Sequence, residues 1–309
     1  MGRIRFITLG VVAVVAAACS SPGASGGPTA AVTAAGSQGA TAEPTLDACA
    51  APSLDTVAAG TLTIGTSEPA YPPYFVIEDP VPDGSIWTLG QPPNGQGLES
   101  ATAYAVAQKL GFTTDQVVWA IADFNTVIQP GEKAFDLFMG QVSYSAERTE
   151  AVDLSDGYFD NNQAVVGLAG TQIASVTTVA GLKPFRLGAQ VGTTSYQYIV
   201  DQIDPDPEPQ VYNSNEDAIT ALNADLIDGI VADLPTTFYM RDAQLDNGQI
   251  VGSLPSVPGV EVEHFSILLD KGSSLTPCVN AAIAAAKDDG TLAAIVDDWI
   301  TTQGAPALQ

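Results

Sequence analysis

Arg186-Leu187-Gly188-Ala189-Gln190-Val191 runs into Gly192-Thr193-Thr194-Ser195-Tyr196 and on towards Ile199. A short apolar strand that ends in a glycine turn and continues as a helix is the building unit of α/β folds, with parallel strands and helices on both faces. In such sheets small molecules bind beyond the carboxyl ends of the strands, so the Gly192–Ser195 turn is a first candidate for ligand contacts. The alternation continues in both directions. Thr61-Leu62-Thr63-Ile64-Gly65 is a short strand followed by the Pro-rich loop Pro69–Phe75. Leu98 to Leu110 has helical spacing, with Gly111 as its stop. Val117–Ala120 and Phe135–Met139 read as strands, Asp217–Asn223 as a helix and Gly229–Ala232 as a buried strand. Helices over Leu275–Lys287 and Leu292–Ile300 close the pattern.

Two further segments carry opposite charges at places a ligand could reach. Asp233 ends the apolar run Ile230-Val231-Ala232, and Arg148 ends Ser143-Tyr144-Ser145-Ala146-Glu147-Arg148. An α-carboxylate calls for a planar bidentate cation with hydroxyl or backbone N–H donors, which Arg148, Ser143 and the Gly192–Ser195 turn can supply. An α-ammonium calls for an unpaired anion, and Asp233 fits. Together they point to a free amino acid bound as a zwitterion. Each residue also has a plainer role: Arg148 beside Glu147 and Glu150 suits a surface arginine, and Asp233 suits a helix N-cap with Pro235 just inside the helix.

The 309 residues are long enough for two lobes with separate cores. Only 15% are charged, but acidic residues outnumber basic ones 35 to 10, for a formal net charge of −25. That balance argues against nucleic acid as a partner and against electrostatic docking on anionic lipid. Arg3 and Arg5 precede the apolar run Phe6–Ala18, which ends in small residues before Cys19. This predicts a signal peptide over 1–18, since the run is shorter than the ~20 residues of a membrane-spanning helix. Cys19 directly after the small residues is similar to a bacterial lipobox, which implies lipidation at Cys19. From Ser20 to about Pro44 the chain is almost wholly Ala, Gly, Ser, Thr and Pro, a composition expected of a flexible tether. Cys49 and Cys278 remain, and an even pair in an exported chain favours a disulfide, two buried thiols being the alternative. A bridge would close a loop of roughly 230 residues and add about 4 kcal/mol in the entropic account.

Enzymatic signals are weak. His264 is the only histidine, a poor basis for a metal site. No Gly-x-Ser-x-Gly elbow, Walker loop or dinucleotide fingerprint occurs. The expectation is a protein without catalytic residues, cofactor or metal.

At this point a family resemblance becomes specific. Gly60–Thr66 with Tyr71-Pro72-Pro73-Tyr74, Ser143–Arg148 with Val152-Asp153-Leu154-Ser155-Asp156-Gly157-Tyr158, Gly192-Thr193-Thr194, the strand ending at Asp233, and Asp289-Gly290-Thr291-Leu292 to Trp299 follow one another in order. Over residues 54–302 the chain resembles the polar amino-acid-binding proteins of bacterial ABC importers, family 3 of the solute-binding proteins. The resemblance implies a type II periplasmic-binding-protein-like α/β clamshell, two lobes joined by two crossing strands near Gln163–Val165 and Glu261–Glu263. Its division of the chain would be signal peptide 1–18, lipidated tether 19–48, lobe one 49–162 with 263–309, and lobe two 163–262. Cys49 and Cys278 then share a lobe. It also implies roles: Arg148 clamps the carboxylate with Ser143 and Thr194 as donors, Asp233 takes the ammonium, and Tyr71 stacks on the ligand with Phe124 covering its other face. Tyr71 and Phe124 equally suit core aromatics. Gln141 stands where the family has a ligand-facing polar residue. Glu99 either faces the cleft or complements the dipole of its helix, and the segment Ile77–Gln96 is expected on the cleft rim. The implied protein is a monomer anchored through Cys19 to the outer face of the bacterial cell membrane, delivering an amino acid to an ABC permease on other chains. A periplasmic dehydratase acting on an amino-acid-like substrate is the alternative that the fold allows.

Overall fold

The computed structural model describes residues 45–259, 262–300 and 304–309. The signal segment, Cys19, the tether up to Pro44 and Glu261 lie outside the described residues. The tether expected through residue 48 gives way earlier: Leu46–Cys49 forms a 3-10 turn, with Cys49 buried and Leu46 packed against the first core.

Along the chain run β1 (Leu62–Thr66), α1 (Leu98–Lys109), β2 (Val117–Ile121), the single-turn α2 (Phe124–Val127), β3 (Leu137–Phe138), the single-turn α3 (Arg148–Ala151) and β4 (Asp153–Asp160). The second lobe follows as β5 (Gln163–Leu168), β6 (Leu187–Gln190), α4 (Thr194–Tyr198), β7 (Gln210–Tyr212), α5 (Asn215–Asn223), β8 (Gly229–Asp233), α6 (Leu234–Tyr239) and β9 (Gly248–Ser253). The chain returns as β10 (His264–Leu269), α7 (Thr276–Asp288) and α8 (Thr291–Trp299).

Among the described residues the strands form two five-stranded sheets, ordered β2-β1-β3-β10-β4 and β7-β6-β8-β5-β9. β1 is parallel to β2 and β3, and β6 to β7 and β8. β10 is antiparallel to β3 and β4, and β5 to β8 and β9. The sheets are therefore mixed, where parallel ones were expected. Connectivity is the reason: β5 and β10 each enter a lobe from the hinge, so they run against the strands whose carboxyl ends point towards it.

Both faces of each sheet are covered, which is why the strands read as unbroken apolar runs. Neighbours on one strand point to opposite faces. Leu137 joins the main first-lobe core, whereas Phe138 joins a smaller cluster with Val127, Val152 and Leu268. On β8, Val231 faces one cluster while Ile230 and Ala232 face another. The Ile77–Gln96 segment caps the first core rather than forming a rim, with Trp87 buried against it and an Ile77–Gly90 bridge closing its base. Gly97 permits this closeness. It sits at φ 101°, and a Cβ there would lie 2.4 Å from the carbonyl oxygen of Tyr74. Cys49 and Cys278 are joined by a disulfide with a Cα–Cα distance of 5.4 Å.

Two short passages connect the lobes, Asn161-Asn162 and the segment ending Val262-Glu263. The Asn161 N–H donates to the Glu263 carbonyl at 2.8 Å, tying one passage to the other. Gln163, expected within the first crossing, is already the first residue of β5. The tail corrects the expected grouping of 263–309. α8 and Ile300 pack on the first core, but residues 306–309 lie on the second lobe. There Ser253 N–H donates to the Pro306 carbonyl at 2.7 Å and Leu308 N–H to that of Ser253 at 2.9 Å. Leu308 is buried beside Val251 and Leu254. Gly252 leaves the room for it, since a Cβ there would come within 2.6 Å of the Leu308 Cγ.

Candidate functional site

The candidate residues converge because they stand just beyond carboxyl ends of parallel strands: Tyr71 after β1, Phe124 after β2, Ser143 and Arg148 after β3, Thr194 after β6, and Asp233 at the end of β8. A bridge to Phe265 of β10 pins the backbone of Ser143. Arg148 opens α3 five residues on, and its Nη1 donates back to the Ser143 carbonyl. Its Nη2 donates to the Gly192 carbonyl of the other lobe at 2.7 Å. Gly192 adopts φ 72°, a left-handed conformation that glycine takes without steric cost. The guanidinium carbon lies 5.5 Å from the centroid of Phe124, a cation–π geometry. Phe124 thus both covers Arg148 and packs, half-buried, against the smaller first-lobe cluster. The Ser143 hydroxyl is buried and has no hydrogen-bond partner among the described residues.

Asp233 precedes α6, with Pro235 in its first turn, yet its carboxylate makes no cap bond to that helix. It accepts instead from Asn161 Nδ2 and, at 2.8 Å, from Gln163 Nε2. Gln163 also donates to Glu263 Oε1 at 2.9 Å, and its own oxygen accepts from the Ser195 hydroxyl at 2.7 Å. The Thr194 hydroxyl donates to the same Glu263 oxygen at 2.6 Å. Burial, then the neighbouring Glu263 charge, pushes the Asp233 carboxyl up to about 7, against the amide donors and Arg148. Burial lowers the Arg148 pKa from its ordinary value, opposed by Asp233, Glu263 and Glu147.

At the outer edge of the cleft the lobes meet directly. The Tyr71 hydroxyl donates to Glu216, and its ring lies 5.6 Å from that of Tyr239. Tyr74 and Thr236 share a hydrogen bond of 2.9 Å, and Asn125 Nδ2 donates to the Asn213 carbonyl at 3.1 Å. A cavity of about 380 Å³ flanks the hinge beside this cluster, lined in part by Tyr144, Gln163, Thr194, Leu254, Val262 and Glu263.

Two further candidates bond to each other. Glu99 has no exposed surface and accepts from the Tyr158 hydroxyl at 2.5 Å, from Gln141 N–H at 2.7 Å and from Gln141 Nε2. Its carboxylate is committed to holding Gln141 at φ 53°, and the Gln141 amide is committed in return. Desolvation raises the Glu99 pKa to about 7 despite those donors. Conversely, Asn161, Gln163, Glu216 and Glu263 belong to the cluster without having been expected there. For Glu263 the available signal was an acid beside a chain crossing.

A family model of bacterial extracellular solute-binding proteins, family 3, matches residues 62–302. ABC transporter arginine-binding protein 1 of Escherichia coli K12 is 28% identical over 172 residues, covering 54% of this chain and 67% of that protein. The ABC transporter glutamine-binding protein GlnH of Bacillus subtilis 168 is 29% identical over 175 residues, 56% of this chain, which spans 60% of that relative's length. An ancestral arginine-binding protein solved with arginine superposes with a TM-score of 0.61 at 28% identity, over 78% of this chain and 98% of that one.

Proposed function

The chain belongs to the bacterial extracellular solute-binding proteins, family 3, and from that premise we propose that it captures a free amino acid between its lobes for an ABC importer. One observation carries this reading: a cation from one lobe, Arg148, and an anion from the other, Asp233, stand close enough for each to act on the other's ionisation. Arg148 takes the α-carboxylate as a fork, exchanging the carbonyls that now hold it for a stronger charge-assisted pair. The unpartnered Ser143 hydroxyl adds a donor there, and Thr194 would join it on exchanging its bond to Glu263 for one to the ligand. Asp233 takes the α-ammonium, while Tyr71 and Phe124 flank the aliphatic part.

Neither lobe alone satisfies both ends of the ligand, so the ligand favours the state in which the lobes meet. Exported through residues 1–18 and diacylated at Cys19, the chain would work on the outer face of the membrane and deliver to a permease on other chains. Thermal-shift screening against the twenty proteinogenic amino acids tests the reading. At least one should raise the melting temperature and be recovered chemically unchanged. A response only to sugars or peptides would refute it.

A further inference from the structure

The hinge carries a second carboxylate that amino-acid capture, as described, does not use. The backbone of Glu263 belongs to the return passage, its carbonyl accepting the Asn161 N–H of the other passage at 2.8 Å. Its side chain reaches into the second lobe, where Oε1 accepts from the Thr194 hydroxyl at 2.6 Å and from Gln163 Nε2 at 2.9 Å. That same Gln163 nitrogen donates to Asp233 Oδ1 at 2.8 Å. One amide nitrogen within hydrogen-bond range of both carboxylates makes them close neighbours, and both are partly buried.

The titratable groups around the pair are Arg148 and Glu147 at the head of α3, Tyr74 after β1, Tyr158 of β4 with Glu99 of α1 behind both tyrosines and, next in sequence, His264. Arg148 is the cation among them, and its guanidinium donates to the Ser143 and Gly192 carbonyls. His264 Nδ1 pairs with the Val262 carbonyl at 3.0 Å, and its ring stacks on Tyr144. Burial of Asp233 and, beside it, a second carboxylate both disfavour its ionisation.

We propose that the neighbouring Glu263 charge keeps a proton on Asp233, that a ligand's ammonium group replaces that proton, and that Glu263 is a positioning residue acting through Asp233. The ligand part rests on the amino-acid reading above. Binding then releases a proton to solvent, and the charge change occurs on a residue whose backbone joins the two passages. Below the Asp233 titration the ammonium must expel a proton, so affinity falls with acidity. With Asp233 titrating at about 7, affinity should rise about ten-fold between pH 6 and pH 8.

Isothermal calorimetry with L-arginine and L-glutamine, which do not titrate in that interval, provides the first arm. The wild-type slope should shrink to less than two-fold in Glu263→Gln, which keeps the acceptor oxygen but removes the charge, and should persist in Glu263→Asp. The second arm needs no ligand: difference infrared spectroscopy of the carboxyl region should show two groups titrating near neutral pH in wild type, one of them the Glu99 band that Glu99→Gln removes. The other band should move to lower pH in Glu263→Gln and vanish in Asp233→Asn. A flat wild-type profile, or an unchanged slope in Glu263→Gln, would overturn the proposal. If neither probe binds, the choice of those ligands fails, and the infrared titration still decides whether the Glu263 charge keeps a proton on Asp233.

Discussion

Arg148 is held by carbonyls from both lobes and backed by the Phe124 ring, so its charge is poised for an anion that arrives desolvated. Arg148→Ala should cost about 3–5 kcal/mol of binding, roughly 200- to 5,000-fold in affinity. Arg148→Lys should recover little, because an ammonium cannot form the fork. Calorimetry with the amino acid identified by thermal shift measures both; wild-type affinity in Arg148→Ala would remove the residue from the site. Glu99 gives a separate residue-level test. Its folded pKa, about 7, is raised above the unfolded value near 4.3. Its stabilising, protonated form is fully present below that unfolded value and lost as pH rises through about 7. Chemical denaturation should show stability falling by roughly 3 kcal/mol from pH 5 to pH 8.5 on this account. Glu99→Gln should reduce that fall, and an unchanged pH dependence would mean Glu99 does not cause it. Arg148 and Asp233 were legible in the sequence because each ends a recognisable segment beside a strand terminus. Glu99 was not resolved, since a first-turn acid looks the same whether its helix faces a cleft or a core. Glu263 and Gln163 were invisible as site residues because a side chain's reach across a hinge depends on contacts distant in sequence.

At the scale of elements, β1, β2, β3, β6 and β8 followed from apolar runs, but β4, β7, β9 and β10 were not read as strands, and strand directions did not follow. The antiparallel sense of β5 and β10 comes from how the chain passes between lobes, which no local pattern encodes. Phe135–Met139 illustrates the limit: its ladder is only Leu137–Phe138, while Phe135 packs into the smaller cluster beside Phe138. The tail was misplaced for a similar reason, since Leu308 is a lone apolar residue near the terminus with no periodic signal. Its burial over Gly252 makes Leu308→Ala a large-to-small core substitution expected to cost about 2–4 kcal/mol. Urea denaturation followed by a second-lobe probe would register it, and an effect below about 0.5 kcal/mol would show that the tail contributes little.

For the whole molecule, the disulfide and the lobe contacts act on different equilibria. Cys49–Cys278 lies within the first lobe and spans 229 residues of sequence, so it constrains the unfolded chain without joining the lobes. Cys278→Ser should lower stability by about 2–5 kcal/mol while leaving ligand affinity in the folded protein nearly unchanged. Calorimetric melting paired with titration separates the two effects, and a matching loss of affinity would contradict the assignment.

The tail has a mechanical consequence. Ile300 is seated on one lobe and Pro306, whose carbonyl accepts from Ser253, on the other, so these two residues tie the lobes together a third time. Six peptide steps reach at most about 21 Å when fully drawn out. Those two points cannot part further unless the last residues peel from β9. The carboxyl terminus is thus a travel stop: it sets how wide the cleft can gape, and wider opening has to break the Ser253–Leu308 ladder first.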